Sequence, residues 1–149
     1  MAHLAAVGDI MLDRTLGEAI NNGRLAYPFE QVSPLLQAAD VAIGNLECAL
    51  GDGGVPAEKA YTFRAPPAGA EALAMAGFDV LTLANNHAMD YGPDTLRQGL
   101  DLLQAQGIAS IGAGTDAGAA YAPAIREANG LTLARSEEHT SELQSQFRI

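Results

Sequence analysis

The segment Phe78-Asp79-Val80-Leu81-Thr82-Leu83-Ala84-Asn85-Asn86-His87 leads from a run of apolar residues directly into three polar ones. Such a run, with Gly77 before it and polar residues after it, is typical of a buried strand in a parallel sheet. The helix predicted next begins at Pro93-Asp94 and ends at Gly107, and its leucines recur at helical spacing. A strand followed by such a helix is half of a crossover unit, which indicates an α/β fold.

The same alternation continues on both sides of this segment. Further strands are predicted at residues 4–7, 41–44 and 108–111, and further helices at 15–23, 33–39 and 67–76. Thr15, Ser33 and Asp116 are the predicted helix caps, and Asn129-Gly130 predicts a β-hairpin. Strands that alternate with helices of about ten residues form a largely parallel sheet with right-handed crossovers, so the fold class is α/β.

Composition and charge exclude several classes of protein. The chain has 149 residues, of which 48% are apolar, and a net charge of -10. The chain has a single lysine, Lys59, and therefore lacks a stripe of basic residues that could neutralise phosphates. No nucleic-acid partner is expected. Cys48 is its only cysteine, so no internal disulfide can form. Neither a bilayer-spanning apolar run nor a signal-like N-terminus is present, which predicts a cytoplasmic location without a transmembrane segment.

The last fifteen residues differ in composition from the rest. From Arg135 to Ser145 the chain is polar, and this run resembles one reading frame of a short-read sequencing adapter. The alternative is a genuine charged C-terminal helix. We predict that residues 1–134 form a partial domain and that residues 135–149 are a non-native tail.

Three predicted strands end in similar clusters of polar side chains. Because the carboxyl ends of parallel strands share one edge, these side chains can converge on a ligand. Carboxylate and amide oxygens with one imidazole suit Mg²⁺, Mn²⁺ or Zn²⁺, and such an ion supplies an acidified water as nucleophile. Each residue alone could equally be a turn, cap or surface residue. The residues are Asp9 after the first strand, Asn45 and Glu47 after the second, and Asn85, Asn86, His87 and Asp90 after the third.

Six short blocks, in this order, resemble the CapA-type capsule synthesis proteins linked to poly-γ-glutamate. The blocks are Gly8 to Leu12, Gly44 to Glu47, Tyr61 to Ala65, Gly77 to Val80, Ala84 to Gly92 and Gly112 to Gly114. Those proteins are similar to calcineurin-like metallophosphoesterases, whose fold is a four-layer α-β-β-α sandwich. The resemblance covers residues 1–134 and implies the first half of such a domain, as an N-terminal fragment.

The resemblance also implies roles for particular residues. Asp9 matches the first metal-binding aspartate, Glu47 the bridging carboxylate and Asn86 the amide ligand. His87 then becomes the catalytic proton donor, and Asp90 either orients His87 or joins the metal shell. The predicted substrate contacts are Asn45, Asn85, Arg14 and Arg64, although the two arginines could also be solvated surface residues.

Two departures from the family pattern weaken the implied site. Met11 stands where the phosphoesterase motif usually has a histidine, and the later histidine motifs of the family do not occur in this chain. We therefore expect this fragment to bind divalent metal weakly and to show no turnover.

Two functions from different classes are consistent with these residues. In the first, the parent protein is a metal-dependent hydrolase of capsule or poly-γ-glutamate biosynthesis that acts on a phosphoester or an anionic polymer. In the second, it is a non-catalytic polymer-binding or assembly component that uses the same metal site. The family resemblance further implies association with the cell envelope. An ordinary α/β binding domain with accidental motifs is disfavoured by six blocks in order.

Overall fold

The computed structural model describes residues 1–137, and this part of the chain is a parallel sheet flanked by helices. Its strands in chain order are β1 (Leu4–Ile10), β2 (Val41–Leu46), β3 (Ala49–Leu50), β4 (Arg64–Ala65), β5 (Val80–Thr82), β6 (Ala109–Ile111), β7 (Ala124–Ala128) and β8 (Leu131–Arg135). The main sheet has the order β1-β2-β5-β6, and all of its pairs are parallel. β3 and β4 form a short parallel pair, and β7 and β8 form an antiparallel hairpin.

The helices occupy the connections between these strands. They are α1 (Arg14–Asn21), α2 (Ser33–Gln37), α3 (Gly69–Ala76), α4 (Gly92–Ala105) and α5 (Ala117–Tyr121). Two helices lie between β1 and β2, α3 precedes β5, and α4 connects β5 to β6. The predicted α/β class is confirmed, and the architecture is consistent with part of a phosphoesterase-like fold.

The two faces of the main sheet bury different partners. On one face Leu46 and Leu81 pack with Ile20, Leu73 and Leu103 from the helices to form the larger core. On the other face a smaller cluster joins Val80 and Ile111 to Ala124 of the hairpin. Because side chains alternate along a strand, Val80 and Leu81 can serve opposite faces. Burial on both faces explains why Val80 and Leu81 of β5 are both apolar.

Several local predictions are confirmed. Gly77 ends α3 in the left-handed conformation, with φ of 102°. Asn129 and Gly130 both have positive φ, at 50° and 77°, as a tight hairpin turn requires. Asp116 caps α5, because its Oδ1 accepts a hydrogen bond from the backbone N–H of Ala119 at 2.9 Å.

Other local predictions are wrong. Asp13, and not Thr15, caps α1, because its Oδ1 accepts from the N–H of Arg14 at 2.7 Å. Ser33 caps nothing and instead donates from its hydroxyl to the carbonyl of Phe29 at 2.9 Å. The strand predicted to end at Val7 continues to Ile10, with an irregular register between Ala6 and Asp9. Asp9, which was predicted to follow this strand, therefore lies within the sheet.

Arg135, the first residue of the predicted tail, is also the last residue of β8, where it lies opposite Ala124. Residues 138–149 lie outside the described residues, so a non-native tail over 135–149 stays a prediction. Within residues 1–137, no helix has both the length and the apolarity required to cross a bilayer.

Candidate functional site

Strand register places the predicted site residues at one edge of the main sheet. Asp9 in β1 lies opposite Asn45 in β2, and Asn45 lies opposite Thr82 in β5. Because these pairs are parallel, the chain leaves each strand on the same side. The polar residues that follow β2 and β5 therefore meet beside Asp9.

Asp9 and Glu47 form a carboxylate pair held by one amide. The Nδ2 of Asn45 donates to Asp9 Oδ1 at 2.7 Å and to Glu47 Oε2 at 2.6 Å. Its Oδ1 accepts from Asn85 Nδ2 at 2.9 Å. Since a carboxylate oxygen can only accept, this network fixes which end of the Asn45 amide faces the two acids. Two negative charges are thus directed at a single point.

The chemistry of these donors partly fits a divalent cation. Carboxylate oxygens are ligands that Mg²⁺ and Mn²⁺ favour, and two of them already converge beside Asn45. Among the described residues, however, no group of three or more His, Cys, Asp or Glu side chains is placed to hold a metal. The edge therefore supplies part of a ligand shell, and Asn45 occupies the point at which its two acids converge.

The second half of the site is the His87 cluster, which consists of Lys59, His87 and Asp90. Asp90 is 1% exposed, and its Oδ2 lies 2.8 Å from His87 Nδ1. The same oxygen accepts from the backbone N–H of Phe63 at 2.6 Å. Because a carboxylate only accepts, this contact favours the form of His87 with a proton on Nδ1, and Lys59 Nζ lies farther from the same nitrogen, at 3.5 Å. Nε2 is then the outward nitrogen.

Asn85 joins the two halves. Its Nδ2 donates to Asn45 and to the carbonyl of Leu46, each at 2.9 Å, while its Oδ1 accepts from the backbone N–H of His87 at 3.0 Å. Asn85 was predicted as a substrate contact, yet its amide makes hydrogen bonds within the protein at both ends. It therefore acts as a spacer between the carboxylate pair and the imidazole.

Asn86, the predicted metal ligand, lies beside His87 instead of between the carboxylates. Its Nδ2 is 3.4 Å from His87 Nε2, and its backbone carbonyl accepts from Lys59 Nζ at 2.6 Å. Within the described chain, no hydrogen bond links Asn86 to Asp9 or Glu47. Its exposed side chain remains available to an incoming ligand next to the outward nitrogen of His87.

The two predicted arginine contacts differ from each other. Arg64 donates to the carbonyls of Gly53 and Asp52 at 2.7 and 3.3 Å and lies over the Tyr91 ring at 4.2 Å, so it clamps the loop before β4. Arg14 is exposed, and its guanidinium lies 5.3 Å from the centre of the Phe63 ring. Both arginines line a cavity of about 300 Å³, together with the acidic residues Asp13, Glu18 and Asp52. Arg14 is the one whose charge faces outward.

Lys59 was missed by the sequence reasoning. Its ammonium forms an ion pair with Asp90 Oδ1, although the two residues are far apart in the chain. The available signal was its uniqueness: the only lysine of an acidic chain stands just before the Tyr61 to Ala65 block. The periodicity of apolar residues could not predict the path of this glycine-rich loop or its contact with Asp90.

Cys48 follows Glu47 but belongs to the core. Burial raises the pKa of its thiol from 9.0 to about 12, and the nearby charges of Asp13 and Glu47 act in the same direction. A thiol held neutral in this way is a poor metal ligand and a poor nucleophile. It is therefore not part of the site.

The fold and the site together define an α/β protein with a cluster of polar side chains at the carboxyl ends of parallel strands. Comparison with known proteins then narrows the class. The model of the bacterial capsule synthesis protein family PGA_cap matches residues 3–145, which includes part of the predicted tail.

Individual relatives point to the same family. The chain is 35% identical to the capsule biosynthesis protein CapA of Bacillus anthracis, over 74% of this chain and 28% of that protein. It is 30% identical to the PGA biosynthesis protein CapA of Bacillus subtilis, over 86% of this chain and 34% of that protein. An uncharacterized protein of Sinorhizobium fredii, y4sH, is 34% identical over 83% of this chain and 27% of its own length.

The chain therefore belongs to the bacterial capsule synthesis protein family PGA_cap and is of the CapA type. It spans about a third or less of the length of these curated relatives. The resemblance predicted from the six sequence blocks is confirmed.

Proposed function

We propose that the full-length protein acts in capsule poly-γ-glutamate handling as a metal-dependent hydrolase, and that these residues supply one side of its active site. The observation that carries the proposal is the convergence of Asp9 and Glu47 on one point, with Asn85 linking that point to His87. A carboxylate pair can hold a divalent cation, and an oriented imidazole beside it can transfer a proton, which are two parts of metal-assisted hydrolysis.

The proposed roles follow from the contacts. Asp9 and Glu47 would hold a divalent cation, Mn²⁺, Mg²⁺ or Zn²⁺, and the exposed amide of Asn86 would complete the near side of its shell. When bound, the ion supplies Lewis-acid chemistry and an acidified water. When its ring carries protons on both nitrogens, His87 would give the Nε2 proton to the leaving oxygen, while Nδ1 keeps its own proton on Asp90. Asp90 orients the ring and stays outside the shell, since it is buried and paired.

The proposed substrate is an anionic polymer or a phosphoester. The names of the two Bacillus relatives refer to capsule and PGA biosynthesis, which supports a polymer of this kind. Arg14 is the proposed anion contact, because it is exposed and its guanidinium lies over the Phe63 ring, whose centre is 4.6 Å from that of the His87 ring. Arg64 keeps the cavity open by holding its loop.

A second function, polymer binding without catalysis, is favoured by Met11. The residue at the expected histidine position packs against the core, and its sulfur accepts from the N–H of Asp13 at 3.4 Å. A cation held by the carboxylate pair alone could grip an anionic polymer without activating water. The two functions share the metal and differ only in turnover.

Binding of Mn²⁺ tests the part of the proposal that this chain carries. Titration followed by electron paramagnetic resonance should show weak binding that Glu47→Gln abolishes. Glu127→Gln is the matched control, because it makes the same chemical change on the exposed side of β7. Equal binding by the wild type and Glu47→Gln would refute the proposed site.

Turnover separates hydrolysis from binding alone. The full-length protein is assayed for Mn²⁺-dependent release from an aryl phosphate and from a γ-glutamyl peptide, with His87→Ala as reference. Activity lost in His87→Ala supports the hydrolase, and metal binding without turnover supports the polymer-binding component. For the 149-residue chain we expect no turnover, because its described acids fill only part of a ligand shell.

A further inference from the structure

Lys59 occupies a position that the proposed chemistry has not used. It lies in the loop of residues 51–60 between β3 and β4, and its Nζ reaches both ends of the turn that carries His87. At one end Nζ donates to the carbonyl of Asn86 at 2.6 Å, and at the other it pairs with Asp90 Oδ1. The loop backbone contacts the same turn, since the N–H of Ala57 donates to the carbonyl of Asp90 at 2.8 Å.

The two oxygens of Asp90 have separate partners. Oδ2 accepts from His87 Nδ1 and from the Phe63 N–H. Oδ1 is buried, accepts no conventional hydrogen bond, and within residues 1–137 has the Lys59 ammonium as its counter-charge. A buried carboxylate that loses its counter-ion rotates, takes up water or takes up a proton. Each of these responses would disturb the oxygen that holds His87.

We propose that Lys59 is a positioning residue that, by holding Asp90 Oδ1, keeps Asp90 Oδ2 on His87 Nδ1 and so presents Nε2 to the substrate. This inference rests on the proposed function, because it assigns His87 as the proton donor. The ammonium suits the task because its charge pairs with Asp90 Oδ1 while one of its three donors binds the carbonyl of Asn86. Lys59 thus acts on the reaction through Asp90 and His87.

If Lys59 had a merely structural role, it would only hold the loop of residues 51–60 in place. Removing any other contact that holds this loop would then change the tautomer of His87 to the same extent. Gln98 provides such a fastening, because its side chain accepts from the N–H of Asp52 at 3.1 Å and donates to Asp52 Oδ1 at 2.7 Å. Gln98→Ala loosens the loop and leaves the contacts of Lys59 in place.

The experiment reads the tautomer of the His87 ring directly. Imidazole ¹⁵N NMR at alkaline pH is recorded for the 149-residue chain and for Lys59→Met, Lys59→Arg and Gln98→Ala. The wild type, Lys59→Arg and Gln98→Ala should show the Nδ1–H form. In Lys59→Met the ratio of the Nδ1–H to the Nε2–H form should fall by about tenfold or more, because a hydrogen bond to a charged acceptor is lost.

Two results would overturn the proposal: an unchanged tautomer ratio in Lys59→Met, or an equal fall in Gln98→Ala. If Lys59→Met fails to fold, acetylation of the folded wild-type chain removes the same charge, since Lys59 is its only lysine. Acetylated Lys59→Arg, modified at the N-terminus alone, is the control. No metal or substrate is needed, so loss of Mn²⁺ binding with an intact tautomer effect would refute the proposed function alone.

Discussion

The carboxylate pair and the His87 cluster lie side by side but handle charge in opposite ways. Asp9 and Glu47 share only the neutral amide of Asn45, and both remain partly or fully exposed to solvent. Asp90 is buried and faces an ammonium, an imidazole and a backbone N–H. Within residues 1–137 the first region has no ion pair to balance its carboxylates, whereas the second balances its charge internally.

This difference is what the proposed roles require, with the carboxylate pair as the ligand site and the His87 cluster as its support. Uncompensated charge near solvent is what a binding site requires, and compensated charge in the interior is what holds a side chain in one geometry. The carboxylate pair should therefore tolerate neutral substitutions when no metal is present. The His87 cluster should not.

The largest contrast should come from matched aspartate substitutions. Asp90→Asn removes a buried carboxylate that accepts from the Phe63 N–H and faces His87 Nδ1, and we expect the loss of hydrogen bonds to a charged acceptor to lower the free energy of unfolding by about 3 kcal/mol. Asp9→Asn should leave stability unchanged or raise it, because it relieves repulsion with Glu47. Urea denaturation followed by circular dichroism measures both. Similar losses in the two variants would erase the distinction between the regions.

Cys48 extends the comparison to a group that must stay neutral. Its pKa is about 12 in the folded chain, so on raising the pH from 9.0 the unfolded chain loses the thiol proton while the folded chain keeps it. The free energy of unfolding should then fall by about 1.4 kcal/mol per pH unit because of this group alone. Cys48→Ala should lack that component when both proteins are unfolded in urea at several alkaline pH values. Parallel pH profiles for the two proteins would contradict the assignment.

Glu47→Gln should have a smaller effect on stability, and the sign of this effect should differ with and without metal. In the presence of a chelator, the variant should be more stable than the wild type by about 0.5 kcal/mol, since like charges no longer face each other. With Mn²⁺ at about ten times its dissociation constant, the wild type should gain about 1.4 kcal/mol and the variant nothing. Differential scanning calorimetry gives both values. A metal-induced gain shared by the variant would place the cation elsewhere.

The smallest effect should come from an ion pair that belongs to neither region. Arg97 pairs with Asp94 at 2.8 Å on the exposed side of α4. Because solvent screens such pairs, Arg97→Ala should change stability by less than about 0.5 kcal/mol. The same urea titration measures this effect. A loss of stability close to that of Asp90→Asn would show that burial does not explain the large effect expected for Asp90→Asn.

Much of the site could be predicted from the sequence, because topology alone brings strand ends together. Apolar runs ending in Asp9, in Asn45-Leu46-Glu47 and in Asn85-Asn86-His87 were sufficient to predict one shared edge. The contact between His87 and Asp90 was one of two alternatives, and the three-residue separation made it accessible within a single turn.

The remainder depended on paths that local patterns do not encode. The cap of α1 is Asp13 and not the predicted Thr15. The reason is that β1 continues past the irregular register between Ala6 and Asp9, which changes where the chain leaves the sheet. Lys59 met Asp90 because the loop before β4 folds back over the turn after β5. Glycine-rich loops carry no periodicity from which such a path could be predicted.

The two ends of the Asn85 amide face different parts of the site. Its nitrogen end points to the acids through Asn45, and its oxygen end points to the backbone of His87. Aspartate at this position could only accept and leucine could do neither, so no residue of similar size reproduces both ends. A displacement on either side of Asn85 must pull on the other, which makes this side chain a mechanical coupling as well as a spacer.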